Sequence, residues 1–244
     1  MNILIYTDNV SANHILYYAL GKLRGKNSVY FVNANEILGG ALSEKIDLFV
    51  MPGGASRYKS AKLNGEANQL IKQYVANGGR YLGICAGGYM GCETTYWAKG
   101  EPFEIVAHNE LRFFPGDAVG PIEAYGRGDN FNGTNAHIVT LDVEGTRVPS
   151  LYLGGCIFQP KAISGYNVLA TFSDLPGQPA AIVSGQYGKG RWLLSSTHPE
   201  YDQEALELLN FNVVGNDYQH YADIDNIASL DLRLFDRLIK DLVE

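Results

Sequence analysis

Residues 81–89 read YLGICAGGY, an apolar strand pattern that leads into a cysteine bracketed by glycines and then into a helix pattern. Gly83 and Gly87 are expected there because side chains would collide where a strand turns sharply into a helix. Such a turn presents the residue at its apex above the edge of a sheet. The start of a helix also favours the thiolate form of a cysteine, which is its nucleophilic form. The segment therefore predicts a nucleophile elbow centred on Cys85.

Around this segment, the first half of the chain alternates between strand and helix patterns. Short apolar runs indicate strands, and between them apolar residues recur at helical spacing. Such alternation is typical of βαβ units, whose parallel sheet is covered by helices on both faces. The predicted strands of this half are 2–6, 29–32, 46–51 and 81–85, and helices are predicted after Ser11 and over 64–76.

The second half contains shorter strand patterns and many glycines. Strands are predicted at 138–143, 151–153, 168–172, 181–184 and 192–196, with a hairpin turn at 188–190. Residues 101–135 are interpreted as a long loop with a hairpin. We therefore expect an α/β fold with a flavodoxin-like, mostly parallel sheet, helices on both faces, and antiparallel strands in the second half. Residues 1–244 are interpreted as one domain with a helical extension at about 216–244.

The composition narrows the possible partners and compartment. The 244 residues include 26 acidic and 19 basic side chains, the net charge is −7, and the isoelectric point is near 5.2. This balance argues against a nucleic-acid surface or a polybasic membrane anchor. No apolar run approaches the roughly 20 residues of a membrane span, and the first residues lack a secretory signal pattern. With an odd number of cysteines, we expect a cytoplasmic protein with reduced thiols and neither nucleic-acid nor membrane partners.

No pattern in the sequence indicates a metal or an organic cofactor. The histidines show no metal-ligand spacing, and neither a phosphate-binding loop nor a dinucleotide-binding glycine pattern occurs. Arg112, Arg127 and Lys59 could recognise a carboxylate or a phosphate, although solvated loop charges are the favoured interpretation. Asp8 could line a site, but it is interpreted as a helix cap. We therefore predict a site without metal or cofactor.

A second motif, STHPE at 196–200, directly follows an apolar strand pattern. A histidine at the carboxyl end of one strand can reach a nucleophile at the end of a neighbouring strand. A carboxylate two residues further on can bind the other ring nitrogen and so orient the imidazole. Cys85, His198 and Glu200 therefore supply a nucleophile, a base and an orienting carboxylate.

A third motif, MPGGA at 51–55, follows another predicted strand. Backbone N–H groups at Gly53 and Gly54, together with that of Ala86, could donate to the oxyanion of a tetrahedral intermediate. Each motif alone is more often structural, since a buried cysteine is usually a small core residue. Their joint position at the ends of three predicted strands nevertheless predicts one site.

These motifs resemble the class I glutamine amidotransferases, and more closely the family of N-terminal domains of eukaryotic biotin–protein ligases with its free-standing bacterial relatives. The resemblance runs from about residue 1 to about residue 205. It implies that Cys85 is the nucleophile, His198 the general base and Glu200 its partner. The segments that carry it are FVMPGGA at 49–55, GICAGGY at 83–89, LRFFPG at 111–116, the glycine pair at 154–155 and GKGRWLLSSTHPE at 188–200.

One position departs from the amidotransferase pattern. Tyr89, which we group with the substrate-binding positions, stands where those enzymes usually carry a glutamine that helps to hold the substrate. An aromatic ring lacks the paired donor and acceptor of an amide. The sequence therefore argues against glutamine as the substrate.

Two functions remain open from the sequence. The first is a cysteine-dependent amidase or hydrolase acting on a small amide or acyl compound. The second is a non-catalytic ligand-binding or regulatory module, which Tyr89 and the long segment at 101–135 favour. A redox sensor based on Cys85 is a third possibility. The apolar stripe of the last helix either packs on its own domain, the favoured interpretation, or forms a surface for a protein partner or a homodimer.

Overall fold

The computed structural model describes residues 1–7, 12–126, 136–208 and 229–244. Its strands are β1 (Ile3–Tyr6), β2 (Val29–Val32), β3 (Leu48–Met51), β4 (Arg80–Ile84), β5 (Cys92–Trp97), β6 (Ile105–His108), β7 (Phe114–Gly120), β8 (Ala136–Val143), β9 (Thr146–Leu153), β10 (Ile157–Pro160), β11 (Asn167–Phe172), β12 (Ala180–Tyr187) and β13 (Gly190–Ser195). Its helices are α1 (Ala12–Arg24), α2 (Ala34–Leu38), α3 (Ser56–Leu63), α4 (Glu66–Ala76), α5 (Ala86–Met90), α6 (Glu123–Gly126), α7 (Gln203–Leu208) and α8 (Arg233–Val243).

The strands of the described residues form one mixed sheet whose centre is parallel. Its main path follows the order β2-β1-β3-β4-β13-β12-β10-β7-β5-β6. β1 pairs in parallel with β2 and β3, β3 with β4, and β4 with β13. Every residue of β1 and β3 is buried, as parallel strands require when helices cover both faces. The strands predicted at 2–6, 29–32, 46–51 and 81–85 are confirmed as β1 to β4, within two residues at their ends.

Successive residues of the parallel strands face two separate cores, because side chains alternate across a sheet. On one face, Ile3 and Ile5 pack with apolar residues of α1 and α8. On the other face, Leu4 and Tyr6 pack with apolar residues of α2, α4 and α5. The predicted α/β architecture with helices on both faces is therefore confirmed.

The second half of the sheet is mostly antiparallel. β12 and β13 form the predicted hairpin, β8 pairs with β9, and β11 lies between β8 and β12. The strands predicted in this half correspond to β8, β9, β11, β12 and β13. β5 and β10 were outside the predicted strands, and β10 has only four residues and ends at a proline.

The interpretation of residues 101–135 as a long loop with a hairpin needs correction. β6 does form a hairpin with β5, but β7 is a seven-residue strand, parallel to β5 and antiparallel to β10. Proline and glycine within its sequence FPGDAVG disfavour a strand when considered locally. The glycines fit the packing, since a Cβ on Gly116 would lie 2.3 Å from the backbone oxygen of Gln159 on β10. Residues 127–135, with Arg127, lie outside the described residues.

The last helix, α8, covers the final part of the helical extension predicted at 216–244. Residues 216–228 lie outside the described residues, as does Asp8. The apolar stripe of α8 is buried against the same core as α1, so the protein's own sheet covers it. In the described ranges, no helix combines the length and apolar character needed to cross a membrane.

Candidate active site

Cys85 lies between the end of β4 and the start of α5, and its φ is +49°. This left-handed conformation is uncommon for a residue with a side chain and costs on the order of 1–3 kcal/mol. The flanking glycines permit the turn, because a Cβ on Gly83 would lie 2.4 Å from the Gly87 oxygen, and one on Gly87 would lie 2.1 Å from the Met51 oxygen. The Cys85 N–H donates to the Ser195 oxygen at 2.8 Å, which ties the turn to β13.

His198 lies just beyond the end of β13 and is held at its backbone and at its ring. Its backbone N–H donates to the Leu151 oxygen at 2.7 Å. Its ring Nδ1 lies 2.7 Å from Oε1 of Glu200. His198 is 2% exposed and Glu200 is fully buried. The loop therefore fixes the imidazole with a carboxylate on one ring nitrogen, as the spacing of the two residues predicts.

Burial and two neighbours set the charge of this imidazole. Burial alone would lower the pKa of His198, but the negative charge of Glu200 and the contact with Cys85 raise it to about 10. The ring is therefore protonated at neutral pH and forms an imidazolium–carboxylate pair with Glu200. Within the described part of the chain, His198 Nε2 and Glu200 Oε2 have no hydrogen-bond partner. Buried polar atoms of this kind are usually satisfied by water or by a ligand.

Three distant segments meet at Gly53. A Cβ on this glycine would lie 2.6 Å from Cε1 of His198, 3.4 Å from its Nε2 and 3.5 Å from the Cys85 Cβ. The Cys85 thiol donates to the Leu153 oxygen at 3.5 Å, although the sulfur is close enough to His198 to contribute to its raised pKa. Cys85 is only 6% exposed. The structure thus brings Gly53, Cys85, His198 and Glu200 together in a nearly closed site.

Two of the three amides considered as oxyanion donors, those of Gly54 and Ala86, lie at the turns beside Cys85. Gly54 has a φ of +104°, which a residue with a side chain rarely adopts, and it is exposed. Ala86 opens α5 and is 2% exposed. Neither N–H has an acceptor among the hydrogen bonds of the described residues. Both amides are therefore available as donors.

Tyr89, which the sequence groups with the substrate-binding positions, lies in the interior beside Gly154 and Gly155. It is 2% exposed, and its hydroxyl oxygen lies 2.9 Å from the Gly155 oxygen and 3.2 Å from the Gly154 oxygen. Burial raises the pKa of this phenol well above its ordinary value, so the hydroxyl stays a neutral donor. In this structure Tyr89 therefore bonds to the protein backbone.

The sequence patterns miss two residues of the site. Leu153 supplies the backbone oxygen that accepts from Cys85, and Tyr152 donates from its hydroxyl to the Gly155 oxygen at 3.0 Å. Both residues lie at the end of β9, which bridges to the His198 loop. The glycine pair that follows them is the one signal in the sequence for a close backbone approach at this point.

The basic residues considered as anion-binding groups have different environments. Lys59 is not a solvated loop charge as expected, because it is fully buried on α3, with its Nζ 5.6 Å from the centre of the Tyr6 ring. Arg112 is exposed and donates from Nε to the Asn109 oxygen at 2.8 Å. In the ranges that the structure describes, no group of three or more His, Cys, Asp or Glu side chains is placed to hold a metal ion.

These features define an α/β protein with a cysteine elbow and a buried His–Glu pair at the carboxyl ends of adjacent parallel strands. A family model for the N-terminal part of biotin–protein ligase matches residues 1–241. The chain belongs to this family. The match extends beyond about residue 205, where the motifs recognised in the sequence end.

The chain is also similar to two relatives and to one solved structure. An uncharacterised protein of Chlamydia muridarum is 32% identical over 253 residues, covering 99% of this chain and 96% of that protein. A biotin–protein ligase of Schizosaccharomyces pombe is 28% identical over 220 residues, covering 86% of this chain. The match covers only 35% of that ligase. Gan42B, a GH42 β-galactosidase from G. stearothermophilus, has a TM-score of 0.52 and 14% identity, covering 81% of this chain and 27% of that enzyme, and shows the fold alone.

Proposed function

We propose that this protein is a cysteine-dependent amidase or hydrolase of the class I glutamine amidotransferase-like type, acting on a small amide or acyl compound. The observation that carries the proposal is the position of Gly53 against both Cys85 and the edge of the His198 ring, with Glu200 on the opposite ring nitrogen. This order of thiol, imidazole and carboxylate is the one that nucleophilic acyl transfer needs.

In the proposed acylation, the Cys85 thiol first loses its proton to solvent, and the resulting thiolate attacks the substrate carbonyl carbon and forms a C–S bond. The carbonyl electron pair moves to oxygen, and the N–H groups of Gly54 and Ala86 donate to this oxyanion. Because the raised pKa of His198 keeps the ring protonated at neutral pH, His198 can donate its Nε2 proton to the leaving amine. The C–N bond then breaks and leaves a thioester on Cys85.

In the proposed deacylation, His198 starts as the neutral imidazole and accepts a proton from a water molecule. The resulting hydroxide attacks the thioester carbonyl, the C–S bond breaks, and a carboxylic acid leaves. Glu200 stays ionised and stabilises the imidazolium that forms again. The cycle needs water and no cofactor.

Two features of the site support a small substrate other than glutamine. Cys85 is 6% exposed, so only a small acyl group can reach the sulfur without a large rearrangement. Tyr89 occupies the position of the amidotransferase glutamine, and its hydroxyl bonds to the Gly154–Gly155 backbone, which supports a substrate other than glutamine. We do not extend the proposal to biotin transfer, because the chain matches about a third of the yeast ligase.

Trapping of the acyl-enzyme tests this proposal. We expect p-nitrophenyl acetate to leave an acetyl group on Cys85 of the wild type, detected by peptide mass spectrometry. The adduct should accumulate in His198→Gln, because water is then no longer activated. A panel of aliphatic amides, with glutamine and asparagine, would next be screened for release of ammonia.

The matched control is Cys92→Ala, which removes another buried cysteine that donates to the backbone of α5. This variant should acylate and turn over like the wild type, whereas Cys85→Ala should not react. Equal acetylation of Cys85→Ala and the wild type, or deacylation that does not depend on His198, would exclude the proposed mechanism.

A binding or regulatory module is the second candidate function. The observation that favours it is the Cys85 thiol, which donates to the Leu153 oxygen in a nearly closed site. A ligand of such a module should raise the melting temperature of Cys85→Ala as much as that of the wild type. Turnover of an acyl adduct on Cys85 would exclude this candidate.

A further inference from the structure

Residues 153–155, which we call the carbonyl segment, form the backbone next to the Cys85 sulfur. The Leu153 oxygen accepts from the Cys85 thiol at 3.5 Å. A carbonyl oxygen accepts a hydrogen bond from a thiol, but its partial negative charge repels a thiolate. Only the thiol form can therefore donate to the Leu153 oxygen.

Two buried tyrosines donate hydrogen bonds to the carbonyl segment. The Tyr89 hydroxyl lies 2.9 Å from the Gly155 oxygen, and the Tyr152 hydroxyl lies 3.0 Å from the same oxygen. A carbonyl oxygen has two lone pairs and can accept from both. The Tyr152 hydroxyl also accepts from the Ile122 N–H at 2.7 Å, so its proton is directed to Gly155.

Close packing holds the carbonyl segment in the same place. A Cβ on Gly155 would lie 2.1 Å from the Ser196 oxygen, at the start of the loop that carries His198. A Cβ on Gly120 would lie 2.0 Å from the Tyr89 hydroxyl and 2.5 Å from the Gly155 oxygen. The carbonyl segment is thus packed between the end of β13 and the end of β7, and the two hydroxyls donate to it there.

We propose that Tyr89 and Tyr152 are positioning residues which, through Gly155, hold the Leu153 carbonyl against Cys85 and so keep the resting sulfur in the thiol form. The inference rests on the proposed function, because it assigns a role around the same nucleophile. In a variant that loses the hydrogen bond to the Leu153 oxygen, we expect the thiol to release its proton to solvent more readily. The thiolate then pairs with the imidazolium of His198.

The other titratable groups that interact with Cys85 in the described residues do not change charge near neutral pH. They are Tyr89 on α5, Tyr152 on β9 and Cys156 before β10, and burial raises the pKa of each. His198, beyond β13, is the charged neighbour, with Glu200 behind it. The pH dependence of Cys85 reactivity therefore reports mainly on the thiol, the Leu153 carbonyl and His198.

The test compares alkylation of Cys85 by iodoacetamide at about pH 6 and about pH 9, where an ordinary thiol is largely protonated and largely ionised. In Tyr89→Phe we expect the alkylation rate at the lower pH to rise about fivefold, which corresponds to the free energy of one ordinary hydrogen bond. At the higher pH we expect the alkylation rate to change less than about twofold. Peptide mass spectrometry assigns the label to Cys85. The rise should disappear in the double variant Tyr89→Phe/His198→Gln.

Tyr81→Phe is the matched control, since Tyr81 is fully buried and donates to the Gly87 oxygen on α5 at 3.0 Å without touching the carbonyl segment. Tyr152→Phe provides a second variant with the same expected effect if Tyr89→Phe does not fold. The proposal is overturned if the alkylation rates at the lower and the higher pH rise by the same factor, because that result indicates general loosening of the site. It is also overturned if neither rate changes, or if Tyr81→Phe changes the ratio of the two rates as much as Tyr89→Phe does. No substrate enters this test, so it can succeed or fail independently of the acyl-enzyme experiment.

Discussion

At the scale of single residues, several independent contacts stabilise the unfavourable backbone conformation of Cys85. Its N–H donates to Ser195, and its oxygen accepts from the Tyr89 N–H at 2.9 Å. Gly83 and Gly87 remove the side chains that would otherwise prevent the turn. Strain that is held in this way is common at functional sites, because it keeps a reactive atom in one position.

His198 allows a prediction on the pH dependence of stability. The folded protein holds the His198 proton with a pKa of about 10, against an ordinary value of about 6.5 in the unfolded chain. Its contribution to the free energy of unfolding is therefore complete below about pH 6.5 and is lost as the pH rises through about 10. Urea unfolding should show that the stability difference between the wild type and His198→Gln shrinks over this range.

The control for this measurement is His108→Gln. His108 is exposed on β6, and its ring contacts the Thr94 hydroxyl rather than a carboxylate. The stability difference for this variant should not follow the same course. NMR titration of the His198 ring gives a second readout if His198→Gln does not fold. Loss of the ring proton near the ordinary pKa would contradict the prediction.

At the scale of elements, the helix behind the nucleophile is short. α5 has five residues and is followed almost directly by β5. Because the macrodipole sums over aligned peptide units, such a short helix contributes less positive potential than a full-length one. The imidazolium of His198 is therefore the larger positive neighbour of the Cys85 sulfur.

The burial of α8 leads to a prediction for the last helix. Phe235 is fully buried in the core shared by α1 and α8, so Phe235→Ala should lower the free energy of unfolding by about 3–5 kcal/mol. Lys240→Ala removes only a surface pair with Asp236 and should change it by less than about 0.5 kcal/mol. If the stripe were instead a dimer surface, the effect of Phe235→Ala would depend on protein concentration.

At the scale of the whole molecule, the order of strands creates the site. Residues 80–84 and 191–195 are more than a hundred positions apart, but β4 and β13 pair in parallel with Ile84 opposite Ser195. The residues that follow both strands therefore emerge at the same edge of the sheet, where sites of open α/β sheets gather. The elbow and the His–Glu pair meet for this reason.

The same sheet predicts an order of local stability. β4 is central and almost wholly buried, whereas β6 is the last strand of the main path and its residues are mostly exposed. Hydrogen exchange measured by mass spectrometry should therefore show the slowest amides in β4 and β13 and fast amides in β6. Exchange in β6 as slow as in β4 would contradict the assigned sheet order.

Local sequence patterns were sufficient to predict those elements whose own residues indicate their structure. The apolar runs of β1 and β3 and the glycines around Cys85 are such signals, since a buried strand or a sharp turn restricts residue type directly. β7 could not be predicted, because its proline and glycines suit a strand only beside β10. The burial of Lys59 was missed for a similar reason, because a charged residue on a short helix gives no local sign of what covers it.

The sequence by itself determined the α/β architecture and the three motifs that carry Cys85, Gly53 and the His198–Glu200 pair. Only the tertiary structure decided that the Tyr89 hydroxyl bonds to backbone and that the Leu153 oxygen accepts from Cys85. The physical reason is that residue periodicity records which side chains are buried. The direction of a hydrogen bond depends instead on a carbonyl that a distant part of the chain brings into place.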